Sequence, residues 1–379
     1  MVVTQKEVNA VIMRGGTSRG VFLKEVDVPN KEREEFLVKL IGSPDPLEVD
    51  GLGGGFSSTS KAILVKKNNK TREIDYIFAQ VYVEKPKVDY NGNCGNLTSA
   101  VGPYAVEERM VSVEKSSEPK SVELPLFNVN TQKHIRSRFN IVNGRPDYVK
   151  VNNVTGVPKS GVSVYYEILD PVGTVPNVDP VIEPSLSINF EGQKIEVSVM
   201  DITSVYAFVE PHVLGLTGVE LPPDVNSNSR LLERAEKLRK TIKKELGDRL
   251  PSDPESDDSQ SALRLIMVSK MRNYKDWLGN EVHKEDADIM IRAFSMGKMH
   301  HSVPFTAAMC TAATLKIPES IPAKSVGIIE GQEVRIAHPK GVAKSYADVK
   351  EVRGRTTVIS VGGYRTARLL MKGKAFVQV

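Results

Sequence analysis

Leu97, Ala100, Val101, Tyr104 and Ala105 repeat at helical spacing, and the residues before them, Asn91-Gly92-Asn93-Cys94-Gly95, read as a turn. The pattern therefore predicts a helix from Asn96, with Cys94 at or just before its N-terminus. A second helix is expected from an N-cap at Asn30 through Leu40, with Phe36, Leu37 and Leu40 on one face and Gly42-Ser43-Pro44 ending it. A charged third helix runs from Asn228 to Leu246 and turns Leu231, Leu232, Leu238 and Ile242 to one side. Most other apolar positions fall in short strand-like runs. These are Val8–Met13, Val21–Leu23, Ala62–Val65, strands within Thr71–Glu84, Val122–Phe127, Lys133–Asn140 and Tyr148–Val151. Ile195–Met200, Val205–Val209, Leu263–Val268 and Ala287–Phe294 follow, then short strands including Val358–Val361 and Ala375–Val379. Between Asp170 and Ser185, Pro171, Pro176, Pro180 and Pro184 mark a crossing between two domains, 1–180 and 181–364, with strand 365–379 returning to the first.

Composition narrows the class. The 379 residues suffice for two ordinary domains, and 40% apolar with 26% charged residues is usual for a globular protein. The net charge of +4 is spread along the chain and forms no stripe for nucleic acid. Two cysteines exclude a disulfide framework and a cysteine-rich zinc site. Met1–Glu7 lacks the apolar run of a signal peptide, and no apolar stretch approaches the roughly 18 residues a membrane span needs. A cytoplasmic enzyme is expected.

Three stretches carry candidate chemistry. At a helix N-terminus, unpaired backbone N–H groups and the helix dipole favour a Cys94 thiolate and a small anion beside it. Gly95 allows close approach to the backbone. Arg14-Gly15-Gly16-Thr17-Ser18-Arg19-Gly20 gathers hydroxyls, amides and positive charge in one turn, which suits a carboxylate; the plainer reading is a hairpin with solvated arginines. Asp50-Gly51-Leu52-Gly53-Gly54-Gly55-Phe56-Ser57-Ser58-Thr59-Ser60-Lys61-Ala62 is no phosphate loop, because Ser60-Lys61-Ala62 fails the Gly-Lys-Ser/Thr rule. It places Lys61 at a strand entry, where packing could lower the amine's pKa into the range of proton exchange; a surface lysine is the alternative. His300 and His301 are adjacent and lack a third ligand, so substrate contact by one of them is a better reading than a metal. Cys310, in a run of small residues, reads as a buried apolar thiol. His301-Ser302-Val303-Pro304-Phe305-Thr306-Ala307-Ala308 weakly echoes the Cys94 segment, suggesting two similar α/β halves whose buried helices aim their N-termini at one di- or tricarboxylate.

Met13–Ser18, Asp50–Gly55 with Ser57–Lys61, and Asn93–Asn96 with Ser99-Ala100-Val101-Gly102-Pro103 resemble the PrpF family. Asp288 with Arg292, Ser295-Met296-Gly297 and His300 are similar too. The family includes 2-methylaconitate cis-trans isomerases, methylitaconate delta-isomerases and oxalomesaconate tautomerases, and the resemblance spans nearly the whole chain. It implies an α/β (α+β) fold of two pseudo-symmetric diaminopimelate epimerase-like domains. Each is a mixed sheet around a central helix, with the active site in the cleft between them and neither cofactor nor metal. Cys94 and Lys61 match the family's acid/base pair and Ser18 a hydroxyl beside the substrate. The other binding residues expected are Arg14, Thr17, Asn93, Gly95, Asn96, Ser57 and Ser58, with Arg292, Met296, His300 and Ser302 in the second domain. The epimerases' second cysteine would fall near His301–Pro304, where this chain has none, and Ser204-Val205 stands where family members carry Asn-Pro.

The expected function is isomerisation of an unsaturated di- or tricarboxylate by proton abstraction and reprotonation of an allylic carbanion. Return of the proton to the same carbon gives cis-trans isomerisation; return to the far carbon moves the double bond. The alternatives are an accessory protein of an iron–sulfur dehydratase in propionate (methylcitrate) metabolism, which would need neither side chain, and a racemase or epimerase, which lacks its second thiol here. The partners implied are the small carboxylate and a second copy of the chain in a homodimer, with a functional link to an aconitase-like dehydratase. Nucleic acid and membrane are not expected.

Overall fold

The computed structural model describes residues 5–149, 157, 160–174, 178–250 and 262–378. The acidic stretch 253–259, much of the small-residue stretch 156–162, both of which read as loops, and the second half of the expected strand 148–151 lie outside the described residues. The chain divides into two compact units, Met1–Glu167 with Tyr364–Val379, and Ile168–Gly363. The division falls inside the strand Val162–Leu169, ahead of the prolines expected to mark it. Asp170 N–H donates to Ile359 O and Val172 bridges Ile202, which ties this stretch to the second unit.

In the first unit, Gln5–Gly15 and Ser18–Lys24 form a hairpin with Met13 opposite Gly20. Lys61–Lys67 adds in parallel, with Val21 opposite Ala62, and Ile74–Val81 adds antiparallel, with Lys61 opposite Gln80. Lys120–Asn128 and Lys133–Val142 continue the mixed sheet. Alternation along each strand gives the sheet two faces. Val8, Ala10, Val21, Leu23, Ala62, Leu64, Ala79 and Val81 pack against Phe36, Leu37, Leu40 and Ile41 of helix α1 (Arg33–Ile41). This helix begins later than expected. The Asn30 side chain is taken by Arg33 Nη2 at 3.1 Å, so Asn30 does not cap, and Glu32 is the N-cap. The opposite face carries Ser18, Gly20, Phe22, Lys61, Ile63, Tyr76, Phe78 and Gln80, and helix α2 (Gly95–Glu107) lies against it, Tyr104 meeting Phe22 at 5.3 Å between ring centroids. Every residue of α2 from Gly95 to Val106 is buried, so the sheet wraps around it.

The second unit repeats the plan. Ile182–Phe190, Gln193–Asp201 and Val205–Val209 are antiparallel neighbours; Arg264–Ser269 joins in parallel, followed by Ile289–Ser295, Glu333–His338 and Gly341–Val352. Helix α3 (Pro222–Asn226) precedes α4 (Ser229–Leu246), whose N-terminus Asn228 caps by accepting from Leu231 N–H at 3.1 Å. Leu238 and Ile242 of α4 sit in a core with Val205, Ala207, Leu265 and Phe294. Helix α5 (Phe305–Thr314) is buried along its whole length, with Pro304 as N-cap, and α6 (Ile321–Val326) follows. The expected short C-terminal strands are one strand, Arg355–Gln378. Its first part pairs with Gly341–Val352 in the second unit and its last part with Gln5–Gly15 in the first, so it stays extended across the change of partner. Among the described residues no helix is long and apolar enough to cross a membrane.

Candidate active site

The N-terminus of α2 is held from below by two glycines. A Cβ on Gly15 would lie 2.3 Å from Asn96 O and 2.9 Å from Leu97 Cα; one on Gly16, whose φ is +50°, would lie 2.2 Å from Asn96 Oδ1. Only hydrogens let the helix start this close to the hairpin. Cys94 is the N-cap, in an extended conformation that makes no side-chain cap bond. Its Sγ therefore turns to Ser18 Oγ at 3.8 Å on the neighbouring strand, and the residue is 8% exposed.

The surrounding polar side chains hold this end rigidly. Asn96 Nδ2 donates to Thr17 Oγ1 at 3.1 Å, and Arg365 Nε donates to Asn96 Oδ1 at 3.3 Å. The buried Tyr166 hydroxyl donates to Gly95 O at 2.5 Å. Asn93 Oδ1 accepts from Thr98 Oγ1 at 3.2 Å and from the Tyr76 hydroxyl at 3.4 Å. Burial pushes the Tyr76 phenol well above its ordinary pKa, with the nearby Cys94 side chain adding to the effect, so it stays neutral.

Lys61 opens its strand on the face that meets α2. Its Nζ donates to Gln80 Oε1 at 2.8 Å and stands 5.3 Å from the Phe78 ring centroid. The loop before it is clasped by Glu48, whose Oε2 accepts from Gly54 N–H at 2.5 Å, Gly55 N–H at 2.7 Å and Ser60 Oγ at 2.7 Å. Arg19 adds a backbone bond to Ser58 O at 2.9 Å and a guanidinium bond to Gly53 O at 2.8 Å. Ser57 and Ser58 are half-buried within this clasped loop.

Two of the arginines expected at the site bind main-chain and side-chain groups of the scaffold. Arg14 Nη1 donates to Gly16 O at 3.0 Å, Thr366 O at 3.1 Å and Thr366 Oγ1 at 2.9 Å, tying the Gly-Gly turn to the last strand. Burial, with Arg368 nearby, lowers its pKa to about 10. In the second unit Arg292 is fully buried and donates to Glu220 O at 2.7 Å, Ile291 O at 2.9 Å and Val219 O at 3.2 Å. Its burial likewise lowers its pKa to about 10. Met296, also expected at the site, sits in a turn. With φ +52° it is a turn residue between paired Ser295 and Lys298 and lines a pocket with Leu232 and Arg239 of α4. His300 and Ser302 do lie ahead of α5. The His300 ring stacks on His301 at 4.5 Å and its Nδ1 accepts from Ser302 N–H at 3.1 Å. Ser302 Oγ and His301 Nδ1 are buried without a hydrogen-bond partner among the described residues. Burial first and Lys340 second lower the His301 pKa to about 4. Cys310 is completely buried inside α5, and burial pushes its thiol far up.

Gln80, Glu48, Tyr76, Tyr166 and Arg365 complete the surroundings and were not singled out by sequence. Strand alternation gives the one available signal: Gln80 shares parity with Tyr76 and Phe78, the face of Lys61. Among the described residues no three His, Cys, Asp or Glu side chains are placed to hold a metal ion.

Comparison with known proteins gives one answer along the whole chain. The model of the PrpF protein family matches residues 5–378. A 2-methyl-aconitate isomerase of Shewanella oneidensis is 32% identical over 395 residues, covering 99% of this chain and 97% of that protein. A 3-methylitaconate isomerase of Eubacterium barkeri is 32% identical over 387 residues, covering 99% and 98%. The crystal structure of a methylitaconate-delta-isomerase superposes with a TM-score of 0.76 at 29% identity, over 99% of this chain and 96% of that one. At the level of fold alone, a hydroxyproline epimerase from Agrobacterium vitis matches with a TM-score of 0.57 at 14% identity.

Proposed function

The chain belongs to the PrpF family and is an isomerase, and from that premise we propose that it acts on an unsaturated di- or tricarboxylate through Cys94 and Lys61. One of the two removes a proton from the carbon next to the double bond, and that bonding pair delocalises over the allylic system into a carboxylate. The other, or the same group after bond rotation, returns a proton. Return to the original carbon gives the cis-trans isomer and return to the far carbon the shifted double bond; either way no atom is gained or lost. Groups at the α2 N-terminus stabilise the developing charge: the first-turn N–H groups, the helix dipole and the hydroxyls of Ser18 and Thr17.

The observation that carries this reading is the common face of the sheet. The thiol sits against Ser18, and the strand of Ser18 is the parallel neighbour of the strand Lys61 opens. A polar pair so held in a buried setting is costly to keep without a task. Taken by itself, the start of α5 in the second unit carries its own anion-binding groups, the Ser302 hydroxyl and the neutral His301, with His300 holding the loop. A homodimer, work in the cytoplasm and supply by an aconitase-like dehydratase belong to the same proposal.

The test is isomerisation of 2-methylaconitate and 3-methylitaconate in deuterated water. The protein should place deuterium in recovered substrate and product. Cys94→Ser and Lys61→Ala should each slow exchange by about a hundredfold or more. Full exchange in both variants removes the assignment.

A further inference from the structure

We infer that Gln80 is the positioning residue that fixes the Lys61 amine for proton exchange and keeps it facing a neutral acceptor rather than a carboxylate. The inference rests on Lys61 acting as an acid or base. Its starting point is the orientation of the Gln80 amide. Gln80 Nε2 donates to Ser60 O at 3.0 Å and to Val81 O at 3.2 Å. Two backbone carbonyls can accept only from an NH2 group, so the amide has one orientation, and its oxygen must point at Lys61. That oxygen takes the Lys61 Nζ bond at 2.8 Å in a buried setting. The anchor is itself fixed, because Ser60 O also accepts from Val81 N–H at 3.1 Å and Ser60 Oγ is bound by Glu48.

Chemistry explains why an amide serves here. An amide oxygen accepts a hydrogen bond from either –NH3+ or –NH2, so it holds the nitrogen in one place whether or not the proton is present. A carboxylate at the same position would favour the charged form and hold the proton. A carboxylate does stand nearby. Register puts Lys61 opposite Gln80 and Gln80 opposite Asp89, which makes a row on one face, with the amide between amine and acid. Asp89 is in turn occupied by Asn91 N–H at 2.8 Å. Other titratable groups on that face of the sheet and on the helix against it include Tyr76 on the Gln80 strand, Lys67 at the far end of the Lys61 strand, and Cys94 and Tyr104 at the N-cap and within α2. Glu48 acts through Ser60, and Lys24, at the far end of the Ser18 strand, is paired with Glu108 at 3.2 Å.

The experiment uses the full chain in three variants, Gln80→Glu, Gln80→Leu and Lys61→Ala, with 3-methylitaconate as the probe substrate. The Lys61 Nζ titration is followed by NMR in protein labelled with 15N-lysine and assigned by its loss in Lys61→Ala. In Gln80→Glu the Nζ should titrate about one unit or more higher than in the parent. The acid limb of kcat/KM should move up with it, since a base must first lose its proton. Gln80→Leu, which keeps the bulk and removes the acceptor, should lower kcat at least about tenfold with KM within about threefold. An Nζ titration and a pH profile unmoved in Gln80→Glu overturn the inference, as does a Gln80→Leu variant that keeps its kcat. Lys61→Ala separates the two claims. If it retains activity, the acid/base reading of Lys61 fails; if it is inactive while both Gln80 variants behave as the parent, only the role of Gln80 fails.

Discussion

Glu48 offers the sharpest test of how the loop ahead of Lys61 is built. It is 2% exposed, sits at φ +51°, and gathers three donors on one oxygen. Hydrogen bonds to a charged acceptor contribute about 1.5–3 kcal/mol each, so three would sum to roughly 4–9 kcal/mol. Two corrections reduce that. The half-buried Gly54 and Gly55 amides recover water when the carboxylate is removed, and Ser60 Oγ keeps Phe56 O at 2.9 Å. Truncation also removes the dehydration cost of the carboxylate itself. Glu48→Ala should therefore lose about 2–4 kcal/mol. The left-handed backbone stays strained in alanine, so no relief offsets the loss. Glu48→Gln keeps an acceptor but puts an NH2 where Oε1 is buried without a partner, and should lose about 1–3 kcal/mol. Urea unfolding gives the stability, and amide hydrogen exchange over residues 52–60 shows whether the loop opens first. Turnover should fall at least about tenfold in Glu48→Ala, because Ser60 anchors Gln80. The reasoning is refuted if Glu48→Ala unfolds within about 0.5 kcal/mol of the parent and its Gly54 and Gly55 amides exchange at unchanged rates.

Four further outcomes follow from the same structure. His301 is held neutral, at about 4 against an ordinary 6.5, so between these values the unfolded chain binds the extra proton. Stability should then fall as pH drops from 6.5 toward 4, by up to about 3 kcal/mol, and His301→Asn should flatten that slope in urea unfolding; an unchanged slope contradicts it. In native protein, iodoacetamide with mass spectrometry should modify Cys94 and leave Cys310 intact until unfolding; early labelling of Cys310 would contradict its burial. Arg292→Lys should lose about 2–4 kcal/mol by leaving buried carbonyls unpaired, while KM of the folded fraction stays within about threefold; a raised KM at full stability would restore Arg292 as a ligand. Gly15→Ala should push α2 off the hairpin and slow deuterium exchange far more than its cost of about 1–3 kcal/mol in unfolding would suggest; parent-like exchange would contradict the close contact.

What could be read from the sequence and what could not divides along physical lines. The helix around Leu97 and Ala100 was legible because local spacing repeats at its own period, and Cys94 and Lys61 stood out because their neighbours are small. The start of α1 was not, because Asn30 is taken by Arg33, a contact that composition does not reveal. Arg14 and Arg292 looked like carboxylate ligands; only the fold shows the backbone carbonyls that occupy them. Gln80 and Glu48 did not stand out for a similar reason, since most of their partners are main-chain groups, joined by Lys61 Nζ and Ser60 Oγ only once the chain has folded. The last strand was read as fragments because its residues change partner halfway, which breaks the alternation that marks a single strand.

That last strand also sets a schedule. Ala375 and Val377 share a core with Val8 and Ala10, while Arg365 grips Asn96 and Thr366 grips Arg14. A growing polypeptide leaving the ribosome thus presents Asn96 and its neighbour Cys94 well before Arg365, the clamp on them, which follows 269 residues later. Until then the edge of Gln5–Gly15 lies open to any stray strand, so maturation of this protein is a race between arrival of its distant partner strand and aggregation.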